Sequence, residues 1–156
     1  MKVPAWIISI TDTLSAAVGE FELIHVLPDN PELFSIPTAP PYCQQIFVWQ
    51  NKLIPVMDLV ERFGLEKNAT PENHRVMTIF AYRTEKTALP EYGALSLNAT
   101  PRRTEVSDTQ ACPLPADLSS WTNYVRCCFQ DTESQQAIPI LKLEHLFAYK
   151  NGVLLS

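Results

Sequence analysis

The sequence predicts an all-β fold of the sandwich or barrel class, with short helices and an internal doubling. Short apolar runs are separated by turn signals every ~8 to 12 residues, and no amphipathic helix of ~10 residues lies between them. The doubling rests on one phrase written twice: Ile54-Pro55-Val56-Met57-Asp58-Leu59 closing at Phe63, and Ile138-Pro139-Ile140-Leu141-Lys142-Leu143 closing at Phe147, 84 positions apart. Each copy reads as an apolar strand that meets a proline and turns directly into a helix of one or two turns. Leu and Phe then fall at i and i+4 on one helical face. A repeat of that kind points to two similar sub-barrels.

The individual elements follow from propensity and punctuation. Ala5 to Thr11 and Glu20 to Leu27 carry Trp6, Ile7, Ile8, Ile10 and then Phe21, Leu23, Ile24, Val26, and read as strands. Prolines at 28, 31, 37, 40 and 41 make Pro28 to Pro41 a long structured loop. Tyr42 to Trp49 and Lys52 to Met57 are strands around Gln50-Asn51, a two-residue hairpin break where Asn51 suits a positive φ. Asp58 caps a helix through Leu59, Val60 and Phe63 that ends at Gly64. Glu66 to His74 is a polar linker, and Arg75 to Ala81 is a strand. Tyr92 to Leu97 and Thr104 to Val106 are short strands, Ala111 to Ser120 is broken by prolines, and Trp121 to Phe129 reads as a strand. Gln136 to Leu141 is the last strand, followed by a helix with Leu143, Leu146 and Phe147 on its apolar face; Gly152 ends the ordered part.

Composition bounds the function. At 156 residues the chain is expected to form one domain, spanning 1–156, with a core sufficient without disulfides. The 46% hydrophobic and 19% charged content is that of a soluble globular protein, and a net charge of −5 argues against a nucleic-acid surface. Arg102-Arg103, the only basic doublet, reads as a solvated turn because no aromatic residues interleave it. Asp12 and Pro4 argue against a secretion signal at the start, and no apolar stretch reaches the ~18 residues of a membrane span, so a cytoplasmic location is expected. The sequons at Asn68 and Asn98 are accordingly discounted.

Catalytic signals are sparse. With four glycines there is no phosphate-cradling loop, and no Ser sits in a nucleophile elbow. His25, His74 and His145 lack the spacing of a metal site, so no metal or other cofactor is expected. Cys127 and Cys128, being neighbours on a strand, should point to opposite faces, and a cytosolic protein keeps such thiols reduced. An enzyme with one of them as nucleophile is the reading to be tested by thiol reactivity. Glu61 and Arg62 on the first helix, and Lys142 and Glu144 on the second, read as wet helical faces. Trp49 beside the hairpin turn is either core cover or an interface anchor.

The segment Ile36-Pro37-Thr38-Ala39-Pro40-Pro41-Tyr42, the apolar hairpin after it, and Leu53-Ile54-Pro55-Val56-Met57-Asp58-Leu59 with Phe63-Gly64-Leu65 resemble CheW-like domains, the coupling modules of bacterial chemotaxis. The resemblance implies two intertwined SH3-like five-stranded β-barrels. It also implies a non-enzymatic adaptor whose partners are the regulatory domain of a CheA-like histidine kinase and the tip of a methyl-accepting chemoreceptor, without nucleic acid or membrane insertion. Departures are plain: the family's hairpin Gly, Asn, Arg and Gly fall on Gln45, Val48, Gln50 and Asn51, and an acid that many members carry falls on Val26. Losing acid and Arg together leaves no lone buried charge. The candidate partner-binding residues are therefore Val26, Val48, Trp49, Gln50 and Asn51. Such divergence resembles the accessory couplers of type IV pilus chemosensory systems. The alternative is a regulatory module of the same fold that binds an unrelated protein.

Overall fold

A computed structural model describes residues 1–66, 74–85, 89–147, 149–150 and 153–154. Most of the polar linker and Gly152 lie outside the described residues. Eleven strands precede the second helix: β1 (Lys2–Ser9), β2 (Ser15–Gly19), β3 (Leu23–Val26), β4 (Phe34–Ser35), β5 (Gln45–Trp49), β6 (Lys52–Met57), β7 (Val76–Tyr82), β8 (Glu91–Leu97), β9 (Arg102–Ser107), β10 (Val125–Gln130) and β11 (Ala137–Leu141). Helix α1 (Leu59–Phe63) follows β6 and α2 (Leu143–Leu146) follows β11, and a short hairpin of β12 (Tyr149–Lys150) and β13 (Val153–Leu154) comes last. One curled sheet runs β3-β7-β8-β6-β5-β4, the other β10-β11-β2-β1-β9. The all-β fold with a doubled architecture is thus as the sequence predicts, and it fits the two SH3-like barrels that the family resemblance implies. The first sheet has a sixth strand because Phe34 and Ser35, inside the proline-rich loop, pair with Ile46 and Gln45.

The pairing explains how the barrels intertwine. The β1–β2 hairpin begins the first half of the chain, yet it pairs with β9 and β11 of the second half. Reciprocally, the β7–β8 hairpin of the second half pairs with β3 and β6 of the first. Each half lends its leading hairpin to the other barrel. The repeat keeps its register in this exchange: Val56 pairs in parallel with Ala94 of one lent hairpin, and its counterpart Ile140 pairs in parallel with Ala17 of the other.

The repeated Leu and Phe lock the exchange. Leu59 and Leu143 are both buried in the cluster shared by the barrels, with Ile8, Val18, Leu95 and Leu97. Phe63 stacks on Trp121 at 4.5 Å between ring centroids, in the segment that leads into β10. Phe147 in turn stacks on Tyr82 at the end of β7, 5.5 Å away. Each phenylalanine therefore packs on the barrel that its own strand does not build.

Local chemistry sets the element ends. Asp58 accepts the Glu61 backbone N–H at 3.1 Å and caps α1, and Gly64 closes it at φ 63°, the left-handed region that favours glycine. Gln50 and Asn51 both have positive φ, 49° and 62°, which matches the right-handed twist of the β5–β6 hairpin.

Four expectations need correction. Residues Ala116–Tyr124 form a 3-10 helix, so Trp121 opens no strand; Leu118 and Trp121, three apart, share its buried side. Arg102 and Arg103 lie inside β9 and are ion-paired, Arg102 with Asp131 and Glu133, Arg103 with Glu20. Arg62 is half-buried between aromatic rings, and Glu144 takes two hydrogen bonds from Arg126, so neither belongs to a purely wet face. Finally Ser15–Gly19, unassigned from sequence, is a central strand whose Ala16, Ala17 and Val18 are fully buried.

Candidate functional site

Side chains of the β5–β6 hairpin alternate between its faces near the turn, whereas β6 is buried throughout from Ile54 to Met57. Phe47, Ile54 and Val56 point into the first barrel and are buried, while Val48 faces out, 57% exposed, directly opposite Leu53, 68% exposed. Ile46 stands two residues along on the same outer face, opposite Pro55, with Phe34 of β4 beside it, itself exposed. An apolar strip thus runs across three adjacent strands on the outside of the barrel. Period-2 alternation through a two-residue turn makes Leu53 the cross-strand partner of Val48, and that signal was available in the sequence.

Trp49 belongs to the inner side. It packs half-buried against the cluster of Phe47, Ile54, Met77 and Ile79, and its ring stacks on His25 at 5.7 Å. Tyr92 meets its edge at 6.3 Å. Lys52, opposite Trp49 across the turn, holds its ammonium 5.9 Å from the Trp49 ring and 5.3 Å from that of Tyr92. His25, Trp49, Lys52 and Tyr92 therefore close one end of the barrel, with Gln50 and Asn51 exposed at its tip. This arrangement joins β3 to β5, the two strands that curl towards each other.

The structure gathers Val48, Trp49, Gln50 and Asn51 on one hairpin. Val26 lies on β3, paired with Thr78, and it is its neighbour His25 that reaches the hairpin. His25, Lys52 and Tyr92, which carried no sequence motif of their own, lie with Leu53 beside this hairpin tip.

A cavity of about 520 Å³ lies beneath the proline-rich loop and is lined by Tyr42, Asp58, Val60, Arg75 and Ser96 among others. The thiols differ as their alternation requires: Cys127 is exposed and Cys128 buried. Burial pushes the Cys43 thiol up to about 11, unlike an activated nucleophile. Among the described residues no three His, Cys, Asp or Glu side chains are placed to hold a metal ion, and no helix is long and apolar enough to cross a membrane.

Residues 16–151 match the family model of the CheW-like domain. Among solved structures, the chain is similar to the scaffolding protein TtCheW from Thermoanaerobacter tengcongensis, at 22% identity and a TM-score of 0.78, over 99% of this chain and 98% of that one. No curated protein matches the chain.

Proposed function

The chain belongs to the family of CheW-like domains, and we propose that it acts as a non-enzymatic chemosensory adaptor, joining a chemoreceptor to a CheA-like histidine kinase. Membership supplies the class of activity, and the likeness to a scaffolding protein supports it at the level of fold. The observation that carries the binding site is the exposed pair Val48 and Leu53, set face to face on the outer hairpin surface. Apolar side chains of that size are left in water at a cost that a partner removes.

In this reading the hairpin surface around Val48, Trp49, Gln50 and Asn51 receives the helical receptor tip, with Leu53 as a further anchor. The kinase regulatory domain, also a barrel, adds along a barrel edge. Gln50 is neutral where the family pattern has an Arg, which leaves Lys52 as the cation beside the tip, so apolar contact carries more of the affinity.

The test is a titration of the protein against a receptor-tip fragment and against the isolated regulatory domain of the kinase, repeated with Leu53→Lys and Val48→Lys. Both residues are exposed, so the variants are expected to keep the fold, which their far-UV circular dichroism checks. A loss of receptor-tip affinity of about 10-fold or more with kinase binding retained supports the assignment. Wild-type protein that binds neither partner sinks it and directs the search to an unrelated protein partner.

A further inference from the structure

We propose that Cys112 and Cys128 are an oxidation site, a dithiol that closes reversibly into a cross-strand disulfide on the edge of the second barrel. Ala111 bridges antiparallel to Phe129, and that register sets Cys112 directly opposite Cys128. The Cys112 N–H donates to the Cys128 carbonyl at 3.0 Å, and the two Sγ atoms are 3.6 Å apart. Facing residues on antiparallel strands hold their Cα atoms about 4.5–5.5 Å apart, inside the range of roughly 4.4–6.8 Å that a disulfide spans. Only side-chain rotation and a sulfur approach of about 1.5 Å separate the thiols from the bond.

The two sulfurs have different roles. Cys112 is half-exposed and open to a small reagent, whereas Cys128 is buried. Burial, and then the neighbouring Cys112 thiol, push Cys128 up to about 12, which makes it a poor first attacker. Its adjacency to Cys112 supplies what its acidity lacks. With a small-molecule disulfide as oxidant, the Cys112 thiolate attacks one sulfur, breaks that S–S bond and releases one thiolate. Cys128 then gives up its proton and attacks Cys112 Sγ, displacing the second thiolate. The protein dithiol loses two electrons and two protons, and the reagent leaves as two thiols. Neither Cys127, exposed on the other face of β10, nor Cys43, buried between the barrels, has a thiol placed this way among the described residues.

The bridge would close the segment that holds the 3-10 helix Ala116–Tyr124, whose Trp121 clasps Phe63. Its effect would therefore reach the seam between the barrels.

The full chain is equilibrated with graded ratios of oxidised to reduced glutathione, quenched by alkylation, and read by thiol count and non-reducing peptide mapping. The expected result is a fall from four free thiols to two, a linked peptide pair containing Cys112 and Cys128, and full reversal by dithiothreitol. Cys127→Ser, with three thiols, still loses two and gives the same linked peptides, and Cys112→Ser abolishes the link. Four thiols surviving the most oxidising ratio, or oxidation that yields only mixed disulfides or links through Cys127, overturns the proposal.

Discussion

The Arg62 guanidinium donates a hydrogen bond to the Leu146 carbonyl, and these residues occupy the same place in the two copies of the repeat, 84 positions apart. The contact joins α1 to the end of α2, satisfying one of the last carbonyls of that short helix. Arg62 also reaches the Tyr124 hydroxyl at 3.2 Å, and its guanidinium lies over the rings of Tyr42, Phe63 and Tyr124 at 4.8 to 5.6 Å. A residue that sequence periodicity assigns to solvent thus sits at the seam of the barrels.

Arg62→Ala is expected to lower stability by about 2–3 kcal/mol, the loss of charge-assisted hydrogen bonds and stacked packing together. Arg62→Lys keeps the charge but not the planar fork, and should recover only part of this. Urea unfolding of the three proteins gives the order, and equal midpoints for Arg62→Ala and wild type would remove Arg62 from the seam.

Gly93 sets a second point of closure between the halves. A Cβ built there would stand 2.6 Å from the Phe147 ring, in the fully buried part of the core. Gly93→Ala should therefore cost about 1–3 kcal/mol through overpacking. Combining it with Phe147→Leu should cost less than the sum of the two single changes, because the smaller side chain makes room. Strict additivity in a double-mutant cycle would show that the two positions do not touch.

How far the sequence speaks depends on what each signal measures. The hairpin at Gln50-Asn51, the cap at Asp58 and the stop at Gly64 were legible because each is local chemistry. The strand Ser15–Gly19 was not, because Ala16-Ala17-Val18 is buried on both faces, so it shows no alternation, and alanine carries little strand propensity. Trp121 was misplaced for a related reason: its aromatic side chain favours strands, yet tertiary contact with Phe63 holds it in a 3-10 turn. On the hairpin, the candidate residues Val48 to Asn51 are contiguous in sequence and so could be named together. His25 and Tyr92 come from strands distant in sequence, and only the curl of the sheet brings them to Trp49.

The hairpin turn offers a test of backbone strain. Gln50 holds φ 49°, a region that costs a non-glycine residue about 1 kcal/mol or more. Gln50→Gly is expected to stabilise the fold by up to about 1 kcal/mol, set against the greater freedom of glycine in the unfolded chain. A lower melting temperature for this variant would mean that the Gln50 side chain contributes contacts that outweigh its backbone strain.

Acid sensitivity should centre on Asp131, whose side chain is only 1% exposed. Burial pushes its carboxyl up, but the Ser134 hydroxyl and backbone N–H, followed by the Arg102 guanidinium at 2.8 Å, outweigh burial and hold it below the ordinary 3.8. A carboxylate depressed in the folded state adds stability that is complete above its unfolded value and is lost as pH falls through the folded one. Wild-type stability should accordingly drop below about pH 4. Asp131→Asn should be less stable at pH 7, since it leaves Arg102 without this partner and weakens the Ser134 turn. The gap between the two proteins should narrow steadily as the pH is lowered, because protonation removes from wild type the charge the variant already lacks. Denaturant midpoints at pH 7, 5, 4 and 3 measure this, and a gap that stays constant across the series would show that Asp131 contributes through packing alone.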